Sequence, residues 1–284
     1  MTTYAVTGAT GGLGSSAIDA LLSSGIDAAD VVAIVRDPAK AATLADAGVT
    51  VRRADYDDVD ALTAALSGVD RLLFVSGSEI GRRATQHANV IAAAKAAGVP
   101  FVAYTSLLRA DDSSLSLAEE HRATEQALAE SGINHSLLRN GWYWENYVAS
   151  AGPASESGTL YGAAGDGRVA AAARADYAKA AAAVLTSDAP RAVYELAGDV
   201  SLSYPQIAAQ ISDASGKPVA YQNLSEGDYA GALVGAGLPE PVAAMLADSD
   251  TGVSNGQLDS ASTDLVDLIG GPATSFAQVL RTAL

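Results

Sequence analysis

The chain has 284 residues, 49% of them apolar, enough for one large domain or a domain with a smaller companion. A formal net charge of −16 sets it against nucleic-acid phosphates and anionic lipid surfaces, and Arg52–Arg53 and Arg82–Arg83 read as isolated solvated pairs. It contains no cysteine, which excludes disulfides and thiolate chemistry, and its three histidines, His87, His121 and His135, share no metal-ligand spacing. The expectation is therefore a protein with no metal, no nucleic-acid partner and no membrane partner.

A strand pattern begins at Tyr4, from which no leader segment is expected, and the apolar runs, such as Ala178 to Leu185, are too short to span a bilayer. Both features predict a cytoplasmic protein. Val31–Val35 then reads as a strand, Ala39–Ala47 as a helix ending at Gly48, Val49–Arg53 as a strand and Val59–Leu66 as a helix. Arg71–Val75, Phe101–Thr105 and Ser136–Arg139 read as strands, separated by helices at Thr85–Ala97 and Ala118–Ser131. Gly152 to Gly167 reads as a loop-rich crossing, followed by a helix at Arg174–Leu185 and a strand at Val193–Leu196. Gln206–Ala214, Val219–Asn223 and helical pieces after Glu226 form a smaller cap-like region.

Alternating strands and helices predict a parallel sheet covered on both faces. The expected boundary lies near residue 150, giving domains 1–150 and 151–284, with the strand near 193–197 a candidate to return to the first domain.

Gly8, Gly11 and Gly14 are spaced three apart in Val6-Thr7-Gly8-Ala9-Thr10-Gly11-Gly12-Leu13-Gly14, which follows the first strand and opens the first helix. The spacing suits a tight exit from the strand, close approach of backbone to a pyrophosphate, and close helix packing. The helix N-terminus then faces the phosphates. This predicts an α/β, Rossmann-type doubly wound parallel sheet with a smaller C-terminal α/β region. At the end of the second strand stands Arg36 rather than an acidic residue, which favours the extra phosphate of NADPH over the free ribose of NADH, although Asp37 follows it. Asp55, after the third strand, either accepts from the adenine amine or caps a loop.

The glycine loop, Val32-Ala33-Ile34-Val35-Arg36, Ala103-Tyr104-Thr105-Ser106 and Leu138-Arg139-Asn140-Gly141-Trp142-Tyr143-Trp144-Glu145-Asn146 together resemble the NmrA-like family of atypical short-chain dehydrogenases, nearest to its type 2 quinone oxidoreductase branch. The resemblance implies NADPH as cofactor without flavin or metal, and a substrate cleft between a Rossmann domain and a small C-terminal part. It implies that Gly8, Ala9, Thr10, Gly11, Gly12, Leu13 and Arg36 hold the pyrophosphate and adenosine end. Ser76, Gly77, Ser78 and Glu79 would line the ribose, and Asn140, Gly141, Trp142, Tyr143 and Glu145 the nicotinamide. Arg174 and Asp176 would add contacts where a helix opens, an N-terminal cap being the other role open to Asp176.

Many short-chain dehydrogenases place a lysine four residues after a catalytic tyrosine. No tyrosine here has one, and no lysine occurs between Lys95 and Lys179. Reduction of a quinone leaves a phenolate with a basicity near that of tyrosine, pKa ~10, far below that of an alkoxide, and so asks for little acid catalysis. Hydride transfer through positioning alone suits such a substrate. The candidates for contact with the reacting groups are Tyr104, Ser106, His121, Tyr143 and Asn146. Trp142, Tyr143, Trp144 and Tyr147 offer rings for a flat acceptor, or pack as core. The leading expectation is direct hydride transfer from NADPH to a small-molecule quinone, by a monomer or homodimer. Reduction of another flat electrophile such as a triphenylmethane dye, and a non-catalytic redox sensor that binds the dinucleotide, are the alternatives.

Overall fold

The computed structural model describes residues 1–79 and 81–283. In chain order the elements are β1 (Tyr4–Thr7), α1 (Gly12–Ser23), β2 (Val31–Val35), α2 (Ala42–Asp46), β3 (Thr50–Arg53), α3 (Val59–Ala65), β4 (Arg71–Phe74), α4 (Arg83–Ala96), β5 (Phe101–Leu107), α5 (Ser116–Ser131) and β6 (Asn134–Asn140). There follow α6 (Trp144–Ser157), β7 (Thr159–Gly162), β8 (Arg168–Val169), α7 (Arg174–Thr186), β9 (Val193–Leu196), β10 (Leu202–Ser203), α8 (Tyr204–Ser215) and β11 (Ala220–Asn223). The chain ends through α9 (Glu226–Gly235), α10 (Glu240–Ser254), α11 (Asp264–Ile269) and α12 (Phe276–Ala283).

Seven strands form one sheet in the order β3-β2-β1-β4-β5-β6-β9. The register is parallel throughout, with Tyr4 opposite Val31 on one side of β1 and Arg71 on the other. Bonds from the Leu137 and Gly141 N–H groups reach the carbonyls of Ala192 and Leu196, so β9 advances with β6. The central strands β1 and β2 are buried along their whole length, as apolar strands covered on both faces must be. β3 is an edge strand and only half buried. Its Arg52 is not merely solvated: the guanidinium donates to the carbonyls of Ala65 and Ser67 at 2.7 and 2.8 Å, closing the end of α3.

The chain folds as two compact units, each assembled from separated stretches. One comprises Met1–Leu107, Glu120–Asn140 and Tyr177–Tyr194; the other comprises Leu108–Glu119, Gly141–Asp176 and the chain from Glu195 onward. In the first, Val32, Ile34, Leu62, Leu72, Phe74, Val90, Val102 and Leu128 form the core. In the second, two-stranded sheets pair β7 with β11 and β8 with β10, and Trp144, Tyr147, Tyr204 and Phe276 pack ring on ring.

Two elements differ from expectation. Residues 152–157 belong to α6, and β7 follows, where a loop-rich crossing is expected. Trp144, Tyr147, Ala151 and Ala154 recur at helical spacing and are all buried, so packing holds the helix through Pro153. The Ala39–Ala47 helix is instead a 3₁₀ turn opened by Pro38 and continued by the short α2. Proline fixes the first turn, and the Asp37 carboxylate accepts from the Ala39 N–H at 3.0 Å.

Candidate functional site

The strand order reverses between β1 and β4, and a cavity of about 460 Å³ opens there at the carboxyl ends of β1, β2 and β4. Its floor is the glycine loop. Gly8 turns the chain at φ +58°, and Gly11 donates its N–H to the Gly8 carbonyl at 2.9 Å. A Cβ on Gly14 would stand 2.3 Å from the Gly8 oxygen, so only glycine lets α1 start this close to the loop. Gly8, Thr10, Gly11 and Gly12 are exposed and line the cavity, with Leu13 beside them. No side chain caps α1, whose first-turn N–H groups have no partner within the helix. That cradle fits a diphosphate. Ala9 does not join it: the residue is fully buried and its N–H is directed to the Ile34 carbonyl.

At the end of β2, Arg36, Asp37 and Lys40 line a second wall. The Arg36 side chain is 68% exposed and pairs with Glu79 at 3.0 Å. Asp55 lines the cavity, and its carboxylate accepts the Asp57 N–H at 3.1 Å, which is the loop-capping role.

The third wall is the segment between β4 and α4, Val75 to Glu79, all of it on the cavity. Its backbone is held by side chains. The Val75 N–H donates to Thr7 Oγ1 at 3.0 Å and the Ser76 N–H to Thr105 Oγ1 at 2.8 Å. The Gly77 N–H donates to His87 Nε2 at 2.9 Å, while Arg83 Nε donates to the Gly77 carbonyl at 2.8 Å. Since an N–H only donates, His87 accepts there and carries its own proton on Nδ1, 2.8 Å from Thr124 Oγ1. Arg83 is buried and paired with Glu120 at 2.6 Å, so it is no solvated arginine. Burial, reinforced by His121 and Arg83, pushes His87 down to about 3. Burial, then Arg83, pushes His121 down to about 3 as well. Both rings stay neutral near pH 7. Tyr56 completes the wall, donating to the Val75 carbonyl at 2.7 Å.

A second cluster joins two stretches distant in sequence. Tyr143 pairs with Ala172 in a parallel bridge, and the Ala172 and Trp144 N–H groups donate to the Trp142 and Ala172 carbonyls, both at 3.1 Å. The Arg174 N–H therefore meets the Glu145 carboxylate, at 2.9 and 3.2 Å from its two oxygens. The Arg174 guanidinium donates to Asn146 Oδ1 at 3.0 Å and lies 4.9 Å from the Tyr143 ring centroid.

A sequence profile of the NmrA-like family matches residues 2–260. The chain belongs to the NmrA-like family. Within that family it is 58% identical over 275 residues to Quinone oxidoreductase 2 of Escherichia coli (strain K12), covering 96% of each chain. Among solved structures it resembles an E. coli NADPH-dependent quinone oxidoreductase complexed with NADPH, with a TM-score of 0.96 at 56% identity over 99% of each chain. It also resembles the Citrobacter sp. triphenylmethane reductase complexed with NADP(H), with a TM-score of 0.94 at 38% identity, covering 99% of this chain and all of the other.

In this NmrA-like chain several expected site residues lie elsewhere. Tyr104 is fully buried, its hydroxyl 2.8 Å from Nδ1 of the buried His121, and neither residue lines the cavity. Tyr104 faces α4 and α5, where its hydroxyl meets His87 of the one and His121 of the other. Ser106 donates to Glu125 at 2.5 Å, and Arg139 grips the same carboxylate at 2.7 and 3.0 Å. Asp176 is buried, where it accepts the Thr274 N–H at 2.6 Å and the Thr274 hydroxyl at 3.1 Å; it anchors the segment before α12. Trp144 and Tyr147 are core residues, leaving Trp142 and Tyr143 half-buried. Asn140 is buried at the end of β6, and Gly141 donates its N–H to the Leu196 carbonyl at 2.7 Å.

Sequence reasoning missed Tyr56, Gln86, Arg83 and His87. Tyr56 directly follows Asp55 and could be found from the strand end alone; His87 binds a backbone group, which leaves no sequence pattern. Among the described residues no group of three carboxylates or histidines could hold a metal, and no helix is long and apolar enough to cross a membrane.

Proposed function

We propose that this chain is a quinone oxidoreductase that takes its reducing equivalents from NADPH. The observation that carries the proposal is its 58% identity to Quinone oxidoreductase 2 over 96% of both chains. The cavity supports it: a glycine floor for a diphosphate, and Arg36 at the position that reads the adenosine 2′-phosphate. Gly8, Thr10, Gly11, Gly12 and Leu13 would hold the pyrophosphate, and Ser76 to Glu79 the ribose.

When bound, NADPH supplies a hydride. The chain's own part is to position the reactants and keep the floor rigid. Glu145 and Asn146 fix Arg174, and the guanidinium in turn lies over Tyr143. Tyr143, Asn146 and Arg174 are assigned to the acceptor end on this reading. Tyr104 and His121 hold their protons in the core, so no tyrosine–lysine pair delivers one. A quinone, whose reduced form is a weak base, tolerates that arrangement.

Reduction of a cationic triphenylmethane dye is the second reading, supported by the resemblance to the Citrobacter reductase and by the charge of −16. The test is NADPH oxidation by purified protein whose absorbance spectrum is free of flavin. Turnover is expected with a soluble benzoquinone and none without an acceptor. Absence of turnover across a panel of quinones would overturn the proposal, and turnover confined to a cationic dye would install the second reading.

A further inference from the structure

Glu79 occupies a position that a cofactor lining residue need not take. Its Oε1 accepts from Arg36 Nη1 at 3.0 Å, and its Oε2 accepts from Arg82 Nη1 at 2.8 Å and from Gln86 Nε2 at 3.2 Å. The other arm of Arg82 reaches Asp57 at 2.7 Å. Arg36, Glu79, Arg82 and Asp57 thus form a chain of alternating charge beside the cavity, and Glu79 is its centre. We propose that Glu79 sets the dinucleotide preference of this cavity by competing with the cofactor's 2′-phosphate for Arg36, an inference that rests on the NADPH reading above.

A guanidinium grips a phosphate best with two parallel N–H donors. Here one terminal nitrogen of Arg36 already serves a carboxylate. A 2′-phosphate carries close to two negative charges. Approaching Arg36, it must displace Glu79 or bind beside a like charge. NADH presents only a ribose hydroxyl there and meets neither obstacle. Glu79 therefore weakens NADPH selectively, and Arg36 strengthens it selectively. Arg82, Gln86 and Asp57 hold the carboxylate at a fixed distance from Arg36, which keeps the competition constant. Replacing the carboxylate by an amide of the same shape removes the charge and spares the fold, since Glu79 stands at the cavity rim with a 35% exposed side chain.

The experiment is calorimetric titration of wild type, Glu79→Gln and Arg36→Ala with 2′,5′-ADP and with 5′-AMP, two probes that differ only in the phosphate. Glu79→Gln is expected to raise the ratio of 2′,5′-ADP to 5′-AMP affinity roughly three- to fivefold, the scale of a partly exposed ion pair; any change in the ribose contact is common to both probes and cancels in the ratio. The gain should shrink as NaCl is raised from about 0.05 to about 0.5 M, since salt screens exposed charges. Arg36→Ala should move 2′,5′-ADP in the opposite direction. An unchanged or lower ratio of 2′,5′-ADP to 5′-AMP affinity in Glu79→Gln, with Arg36→Ala still selectively impaired, would overturn the competition and leave the NADPH reading standing. Equal losses of both probes in Arg36→Ala would remove the phosphate assignment and this inference with it.

Discussion

A hydroxyl can protonate only what it can reach. Tyr104 is the fourth of the seven residues of β5, short of the carboxyl end where open α/β sheets put their ligands, and its side chain is turned into the core and bonded to His121. Burial raises its pKa above the ordinary phenol value, which makes it a poorer acid as well as a hidden one. Tyr104→Phe should therefore keep kcat within about twofold, whereas loss of a true proton donor removes about 10²- to 10⁴-fold. The change leaves His121 Nδ1 without its partner, which costs about 1–3 kcal/mol of stability. A lowered unfolding midpoint with intact turnover is the expected pair of results. A hundredfold loss of kcat would return Tyr104 to the reaction.

At the scale of elements, the wall between β4 and α4 has no regular secondary structure, and the side chains around it do the work of a ladder. His87 is central because it alone accepts the Gly77 N–H. Its ring is held edge-on by Phe74 and Tyr104, with centroids at 4.7 and 5.5 Å. His87→Phe keeps a flat ring and removes the acceptor. The stranded N–H should shift the wall and raise KM for NADPH about tenfold, equivalent to about 1.4 kcal/mol, with kcat within about twofold. His87→Gln, whose Oε1 can accept in the place of Nε2, should restore most of that loss. A fall in kcat at unchanged KM would show that His87 serves something other than the wall. The glycine floor was legible in the sequence because phosphate approach and helix packing both demand glycine at fixed spacing. Arg36 was legible because it ends a strand. The side chains that hold the Val75–Gly77 backbone were not, since Thr7, Thr105, His87 and Arg83 all bind backbone groups, which any sequence offers. α6 escaped for a related reason: a stretch of alanine, serine, glycine and proline shows little apolar contrast, and only burial of Trp144, Tyr147, Ala151 and Ala154 reveals its face.

For the whole molecule, the alternation of strands and helices was enough to give the parallel sheet and to mark Val193–Leu196 as a strand, which proves to be the seventh of the sheet. The second unit was less legible, because β8 and β10 have two residues each and no periodicity to read. The two units also carry buried groups whose titrations oppose one another. In the first, His87 and His121 fall from an ordinary 6.5 to about 3. Their contribution to stability is whole above pH 6.5 and is lost as pH falls toward 3, because the unfolded chain takes up protons that the folded one refuses. In the second, Asp250 accepts the Tyr204 hydroxyl and the Ala163 N–H, yet burial lifts its carboxyl from 3.8 to about 6. Its contribution is whole below pH 3.8 and is lost as pH rises through 6. Near pH 5 the unfolded chain therefore binds two protons on the histidines, and the folded chain binds one on Asp250. The net difference is about one proton, and stability should rise with pH by about 1.4 kcal/mol per unit. Asp250→Asn removes the opposing proton and should nearly double that slope, as read from denaturant midpoints between pH 4.5 and 5.5 at constant salt. An unchanged slope would mean that the folded protein keeps Asp250 ionised at pH 5, held by Tyr204 and Ala163 against the cost of burial.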